Sequence, residues 1–397
     1  MTMALNEEEK RGSLIALRKE LDRIDGELIE TVARRLEVVR SIRNVKKKGA
    51  IPLFDRQRER EVVEKAGRKA LQSGIDPVTG QRLIQLVIEA GHRIQESEQD
   101  RDKQAEARKI LVVGGRGQMG RLFVSSFERR GHEISILEKD DGWDRARAVK
   151  AADVIMICVP MADAVKVAGE LVPYVSEHSL ILDINSLKKD ICSVYEECRG
   201  QAVGAHPMFG ASVRSLRRQK MILCPVKEGN LTQWLKTELG RLGLDIVVTD
   251  PDTHDRFMAV VQVLVHFRTI VTGEALRRTG VSINESLDFT SPIYRLEMAV
   301  VGRLFAQDPD LYAEIEMTNP YGKEARQHFI DAAHAVEKVA AGGDREGFRK
   351  IFRSITEYFD GFSAEAMELS DYLIESLVAK PHARREGIPN DAYGIMG

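Results

Sequence analysis

Apolar residues near the start of the chain recur every three or four positions: Leu14, Leu17, Leu21, Ile24, Leu28, Val32 and Leu36. That spacing lays one stripe along a helix. Residues 13–48 contain no proline and one glycine, Gly26, with Ser13 as the expected N-cap and Gly49 as the expected stop. Such a helix would be about 50 Å long, too long for its stripe to be covered by its short neighbours, so a partner subunit is implied. A second helix is predicted from its N-cap Asp55 to Ser73, closed by Gly74. A third starts at Asp76-Pro77, a cap followed by a first-turn proline, and runs to about Glu98. Residues 97–108 are almost all polar and read as a linker or an extended helix end.

At Lys109 the period changes. Strand-like runs (KILVVG, ISIL, DVIMICV, LILDI) alternate with helical stretches at 117–130, 144–151, 161–172 and 187–198. This alternation predicts βαβ units and a parallel sheet. Shorter strands are expected near 202–204, 221–224 and 245–248. From Pro251 the pattern is helical to the end, broken around Gly280, Ser291-Pro292, Asp308-Pro309, Asn319-Pro320 and Gly342-Gly343. The expected layout is a helical domain over 1–98, a linker over 99–108, a Rossmann domain over 109–250 and a second helical domain over 251–397.

Composition narrows the function classes. With 397 residues, 43% hydrophobic and 30% charged, the chain is globular and large enough for two or three domains. A net charge of −2 gives no overall field for nucleic acid or a membrane surface, so any anion site must be built locally. The first residues, MTMALNEEEKRGS, contain no apolar run that reads as a secretion signal, and no stretch is expected to cross a membrane. The four cysteines, Cys158, Cys192, Cys198 and Cys224, show no C-x-x-C spacing, which fits reduced thiols in the cytoplasm.

Gly115-Arg116-Gly117-Gln118-Met119-Gly120 fits G-x-G-x-x-G after a strand and before a helix. Glycines there permit a tight turn and close approach of backbone to a pyrophosphate at the helix N-terminus. Glu138, after the next strand, suits a ribose 2′-hydroxyl and would repel a 2′-phosphate, favouring NAD over NADP; Lys139 beside it works against that preference.

His206, in Gly204-Ala205-His206-Pro207-Met208-Phe209-Gly210, lies just past a short predicted strand. A histidine there could accept a proton from a substrate hydroxyl while hydride leaves the same carbon, or it could simply cap a turn before proline. Ser186 and Lys188 follow a predicted parallel strand, where open α/β sheets bind ligands; the plainer reading is a helix cap and a solvated lysine. Arg295, inside an apolar helix start, could clamp a carboxylate or pair with acidic neighbours. His254 and His266, twelve apart on a predicted helix, point about 120° apart, which argues against a shared metal site. No other cluster has zinc-like spacing.

KILVVGGRGQMGRLF, the HPMFG loop and SPIYRLEMAVVGRLFAQDPDLY resemble the dehydrogenase half of the bifunctional chorismate mutase/prephenate dehydrogenases of tyrosine biosynthesis. ALRKELDRID followed by FDRQRER resembles their N-terminal helical mutase. The resemblance covers nearly the whole chain in the expected order. It implies an all-α three-helix mutase domain, an α/β Rossmann domain and an α-helical dimerisation domain. The first would rearrange chorismate to prephenate. Arg18, Arg35 and Arg58 would hold carboxylates, Lys46 and Gln95 would donate to the ether oxygen, and Asp55 and Glu59 would meet the hydroxyl region. Arg35 and Lys46, eleven apart, share a helix face, while Arg18 lies about 100° off it, as suits an interlocked dimer in which that arginine serves the partner's site. Gly91 stands where such mutases usually carry serine. The second half would oxidatively decarboxylate prephenate to 4-hydroxyphenylpyruvate with NAD. His206 would meet the ring hydroxyl, Arg295 a carboxylate, and Ser186 and Lys188 would support the site. His266 matches a position linked in the family to tyrosine feedback inhibition. Rival readings are an NAD-dependent arogenate or other hydroxy-acid dehydrogenase, and an inactive NAD-binding sensor.

Overall fold

The computed structural model describes residues 7–48, 55–102, 106–142, 144–213 and 215–379; the expected stop at Gly49 lies outside them. The chain divides near Ala107 into two compact units.

The first unit is three helices, α1 (Glu7–Lys48), α2 (Arg56–Gln72) and α3 (Pro77–Asp102). Asp55 caps α2 as expected, its carboxylate accepting the Arg58 N–H at 2.9 Å. Helix α3 continues four residues past Glu98 into the segment read as linker, because its polar residues are mostly good helix formers. It packs on both α1 and α2, burying Ala70 and Val87. Every side chain of α1 from Ser13 to Thr31 is exposed, including the leucine stripe.

The second unit begins with the strands and helices β1 (Lys109–Val113), α4 (Gln118–Arg129), β2 (Glu133–Leu137), α5 (Arg145–Lys150), β3 (Val154–Ile157), α6 (Met161–Leu171), β4 (Leu180–Asp183), α7 (Lys189–Tyr195), β5 (Gln201–Pro207), β6 (Lys220–Lys227), α8 (Asn230–Arg241) and β7 (Asp245–Val248). They form a seven-stranded sheet ordered β2-β1-β3-β4-β5-β6-β7. The first five strands are parallel, with Leu111 opposite both Ser135 and Ile155. Helices α4 and α8 cover one face through Phe123, Phe127, Leu235 and Leu239. Leu171, Ile191 and Tyr195 cover the other.

Two expectations are corrected here. Strand β5 is longer than predicted, so His206 lies on the strand and not past it. Strands β5 and β6 pair antiparallel, because no crossover helix separates them.

Beyond the sheet come α9 (Pro251–Met258), a π-helical turn over Ala259–Leu264 and α10 (Val265–Thr279), one continuous helix closed by Gly280 at φ 72°. This helix is long and apolar enough by composition to cross a bilayer, contrary to the sequence expectation. His254 and Gln262 on it meet His206 of β5, while Arg256, Arg277 and Arg278 are exposed. The rest is helical: α11 (Ile283–Ser286), α12 (Pro292–Phe305), α13 (Pro309–Thr318), α14 (Gly322–Ala341), α15 (Arg345–Tyr358) and α16 (Ser363–Ala379). The expected breaks at Ser291 and Asp308 are N-caps, each side chain accepting a backbone N–H of the following turn.

Candidate active sites

In the first unit the inward face of α1 carries cations at spacings of eight and three. Arg35 and Lys46 are half-buried and Arg43 is buried. Arg35 donates to the Val87 carbonyl of α3 at 3.5 Å. Arg43 was passed over in the sequence; its signal was its place one turn before Lys46 on the same face. Glu59 and His92 face each other across α2 and α3, Oε1 to Nε2 at 2.7 Å. Arg58 is exposed and pairs with Glu61 at 2.9 Å, and the Asp55 carboxylate is occupied as a helix cap. Arg18 is exposed among the uncovered stripe, away from the face holding Arg35. Gln95 falls in α3, but its side chain lies outside the described residues. A Cβ on Gly91 would meet the Val39 methyls at 3.5 Å, an ordinary contact, so no steric reason excludes serine there.

In the second unit a cavity of about 420 Å³ opens where the strand order turns back at β1, lined by Val113, Gly114, Gly117, Leu137, Glu138 and Cys158 among others. The sharp turn is made by Gly114, one residue before the motif, at φ +78° with its N–H on Leu137 O. A Cβ on Gly114 would sit 2.7 Å from Cys158 O, and one on Gly120 would sit 2.5 Å from Gly114 O. Only glycine therefore fits at either position, and α4 packs close against the turn after β1, as in a dinucleotide-binding loop. The Glu138 carboxylate stands on the rim, accepting the Arg116 N–H at 2.7 Å. Gln118 and Met119 open α4 behind the loop. This donor and acceptor set fits NAD.

Further along the sheet, His206 is 2% exposed. Its Nδ1 lies 2.9 Å from His254 Nε2 and its Nε2 lies 3.3 Å from Gln262 Nε2. Burial, then the charges of His254 and Lys188, hold its pKa well below the usual histidine range, so the ring is neutral at pH 7. His254 Nδ1 is 2.7 Å from Asp255 Oδ1. The Asp255 carboxylate caps α7 from outside, accepting Lys188 N and Lys189 N, both at 2.9 Å. Ser186 is half-buried in the loop between β4 and α7. Lys188 is neither the solvated lysine of the plainer reading nor open to a ligand: its ammonium is wholly enclosed and paired with Asp183.

His266 is half-buried with its ring edge-on to Tyr312, centroids 4.9 Å apart. Arg295 is half-buried in the first turns of α12. Arg303, eight residues on and turned by about 80°, is the arginine that reaches Ser212 Oγ, at 3.4 Å, in the loop that follows His206. Burial raises the Tyr312 phenol, and Arg303 nearby opposes it. His206, His254, Gln262 and Asp255 are thus brought together, with Arg303, Tyr312 and His266 forming a second linked group. His254, Asp255, Gln262 and Arg303 were not singled out as site residues in the sequence; only the crossing of the Pro251–Thr279 helix over β5 brings the first three to His206, and Arg303 reaches the loop after it from α12.

Comparison with known proteins bears on these geometries. Residues 17–96 match the chorismate mutase type II family, residues 128–240 the prephenate dehydrogenase nucleotide-binding domain and residues 250–354 the prephenate dehydrogenase dimerization domain. The T-protein of Haemophilus influenzae is 31% identical over 90% of this chain and 96% of its own length. The chain belongs to the T-protein family. A second T-protein, from Enterobacter agglomerans, is 30% identical over 91% of this chain and 97% of its own. The structure of Synechocystis arogenate dehydrogenase shares the fold at TM-score 0.52 and 17% identity, covering 64% of this chain and 99% of that one. Family membership carries both activities, an isomerase that makes prephenate from chorismate and an NAD-dependent oxidoreductase that consumes it, in tyrosine biosynthesis.

Proposed function

We propose that His206 is the base of the dehydrogenase. A neutral, buried imidazole at the end of a sheet strand suits taking the proton from the ring hydroxyl of prephenate. A dinucleotide held in the glycine cleft would supply the hydride acceptor for the carbon bearing that hydroxyl. Loss of CO2 then aromatises the ring and makes the step irreversible. Ser186 lines the approach, and Arg303 and Arg295 are the candidate ligands for substrate carboxylate, Arg303 being favoured by its bond to the loop after His206. Gly115, Gly117, Gln118, Met119, Gly120 and Glu138 would hold the dinucleotide, with Gly114 making the turn.

In the mutase, Arg35 and Lys46, joined by Arg43, would hold chorismate compactly and stabilise charge on the breaking ether oxygen, with Gln95 as the further donor. Glu59, Arg58 and Asp55 would border that site, and Arg18 would serve the other protomer of a homodimer. The exposed stripe of α1 supports that dimer. His266 against Tyr312 is proposed to take part in inhibition by tyrosine. The four free cysteines favour a cytoplasmic enzyme.

The observation that carries this reading is the buried, neutral His206 ringed by hydrogen-bonding partners. It is tested by following NADH from prephenate and from arogenate. His206→Asn should lower kcat by roughly 10²-fold or more, and the wild-type rate should persist below pH 6.5, since a depressed pKa keeps the ring a base there. An unaltered rate in His206→Asn would return it to a structural role.

A further inference from the structure

Hydrogen-bond inventory fixes which nitrogen of His206 carries its proton. Both oxygens of Asp255 accept backbone N–H groups, from Lys188 and Lys189. The carboxylate therefore meets His254 Nδ1 as an acceptor, and that nitrogen must be the protonated one. In a neutral His254 ring, Nε2 is then bare and can only accept. Its partner at 2.9 Å, His206 Nδ1, must donate. His206 Nε2 is left with its lone pair, and the amide nitrogen of Gln262 faces it at 3.3 Å. With both imidazoles neutral, this arrangement pairs a donor with an acceptor at each contact, from Asp255 through His254 to His206 and the Gln262 amide.

The backbone is built to hold the chain still. The Asp255 carbonyl accepts Asn319 Nδ2 at 2.9 Å, tying α9 to the turn before α14. His254 and Asp255 are each 1% exposed. The side chains of Lys188 and Asp183 close the space behind Gly204, whose Cβ would lie 2.9 Å from Lys188 Cδ.

We infer that His254 and Asp255 are positioning residues of the dehydrogenase, forming an Asp–His–His relay that locks His206 in the Nδ1–H form and presents Nε2 to the substrate hydroxyl. This rests on His206 as the base. During oxidation the hydroxyl proton passes to His206 Nε2, the C–H electron pair leaves as hydride to NAD, and the positive charge gained by His206 is shared through the Nδ1–H bond with His254 and faced by the Asp255 carboxylate. Both protons of the relay are already in place, and only the Gln262 amide has to yield the Nε2 lone pair to the substrate hydroxyl. Orientation of a base by a second hydrogen-bonded group is a known source of rate: fixing the wrong tautomer in a serine protease costs about 10⁴-fold.

Two measurements test it. Magic-angle-spinning ¹⁵N spectra of histidine-labelled wild-type enzyme, with His206 assigned by its loss in His206→Asn, should show a protonated Nδ1 and a bare Nε2; a protonated Nε2 in the neutral ring overturns the relay without any relay variant having to fold. In kinetics, His254→Phe keeps the ring volume and removes the acceptor, and should lower kcat for prephenate oxidation by roughly 10²-fold or more with little change in KM. His254→Gln, whose amide oxygen can accept the Nδ1–H, should be the more active of the two. A role in packing alone predicts the reverse order, and that order, or a wild-type kcat in His254→Phe, overturns the relay. If His206→Asn is inactive while His254→Phe is normal, only the relay falls. If His206→Asn is itself active, the assignment of the base falls and takes the relay with it.

Discussion

At the scale of single residues, the second unit places charge where it can act only through a chosen atom. Lys188 is a cation 0% exposed, and its ammonium is used up by Asp183. Burying a charge without a partner would cost several kcal/mol, so this lysine cannot be lent to a substrate. Arg303 is different. It is exposed, and its one described side-chain bond is a long one to Ser212, which a carboxylate could replace with two shorter, charge-assisted bonds. Arg303→Gln should therefore raise the KM for prephenate by roughly 10- to 100-fold, the worth of about 1.5–3 kcal/mol for a bond to a charged group, with a smaller rise for Arg295→Gln. Initial-rate kinetics at saturating NAD would measure both, and a larger effect at Arg295 would reverse the order. The sequence singled out Arg295 because it lies inside an apolar helix start in the SPIYR motif. Which arginine points toward the loop after His206 depends on an 80° rotation along α12, and the pattern of residues does not reveal the direction of the site.

At the scale of elements, α1 and the Pro251–Thr279 helix show how far periodicity can be read. The stripe of α1 was legible because three-and-four spacing means one face. That face is exposed at Leu14, Leu17, Leu21, Ile24 and Leu28, between 45% and 61%. Burying each leucine would contribute about 1.5–3 kcal/mol, so a second copy of α1 is the expected cover. Leu17→Asp combined with Leu21→Asp should sharply lower mutase turnover and destabilise the mutase domain, read by chorismate loss and by thermal melting, while NADH production from prephenate continues. Unchanged mutase activity would show that the stripe is not an interface. The Pro251–Thr279 helix was less legible. Its twelve-residue interval between His254 and His266 was converted to 120° on the assumption of a uniform α-helix. The π-helical turn at Ala259–Leu264 has a different pitch, and it is this turn that carries Gln262 to His206 while His266 meets Tyr312. Nothing in AVVQVL announces a π-turn, because it is selected by packing against β5 and α14 and not by local propensity.

At the scale of the whole molecule, two reactions in sequence are carried by two separately folded supports. The candidate cations of the mutase lie on α1, and the candidate dehydrogenase residues lie in the sheet and the helices after it. Lys46→Ala should thus reduce chorismate turnover by roughly 10²–10³-fold, the usual cost of one charge-stabilising donor, and leave oxidation of added prephenate close to wild type. Parallel assays on one preparation, chorismate loss without NAD and NADH gain with prephenate, would show this. Equal loss of both activities would mean the two sites are not independent.

The sequence by itself determined the order of domains, the alternation that makes a parallel sheet and the glycine loop with its acidic rim, and it offered His206 as a candidate, because each is written in local spacing or in a short contiguous motif. Tertiary structure alone decided that Gly114 makes the turn, that Lys188 faces inward, that Arg43 joins the cationic face, and that His254, Asp255 and Gln262 surround a histidine some fifty residues earlier. Those relations arise from how a helix crosses a strand. Such crossings are fixed by burial of the whole apolar surface at once, and no window of the chain contains that information.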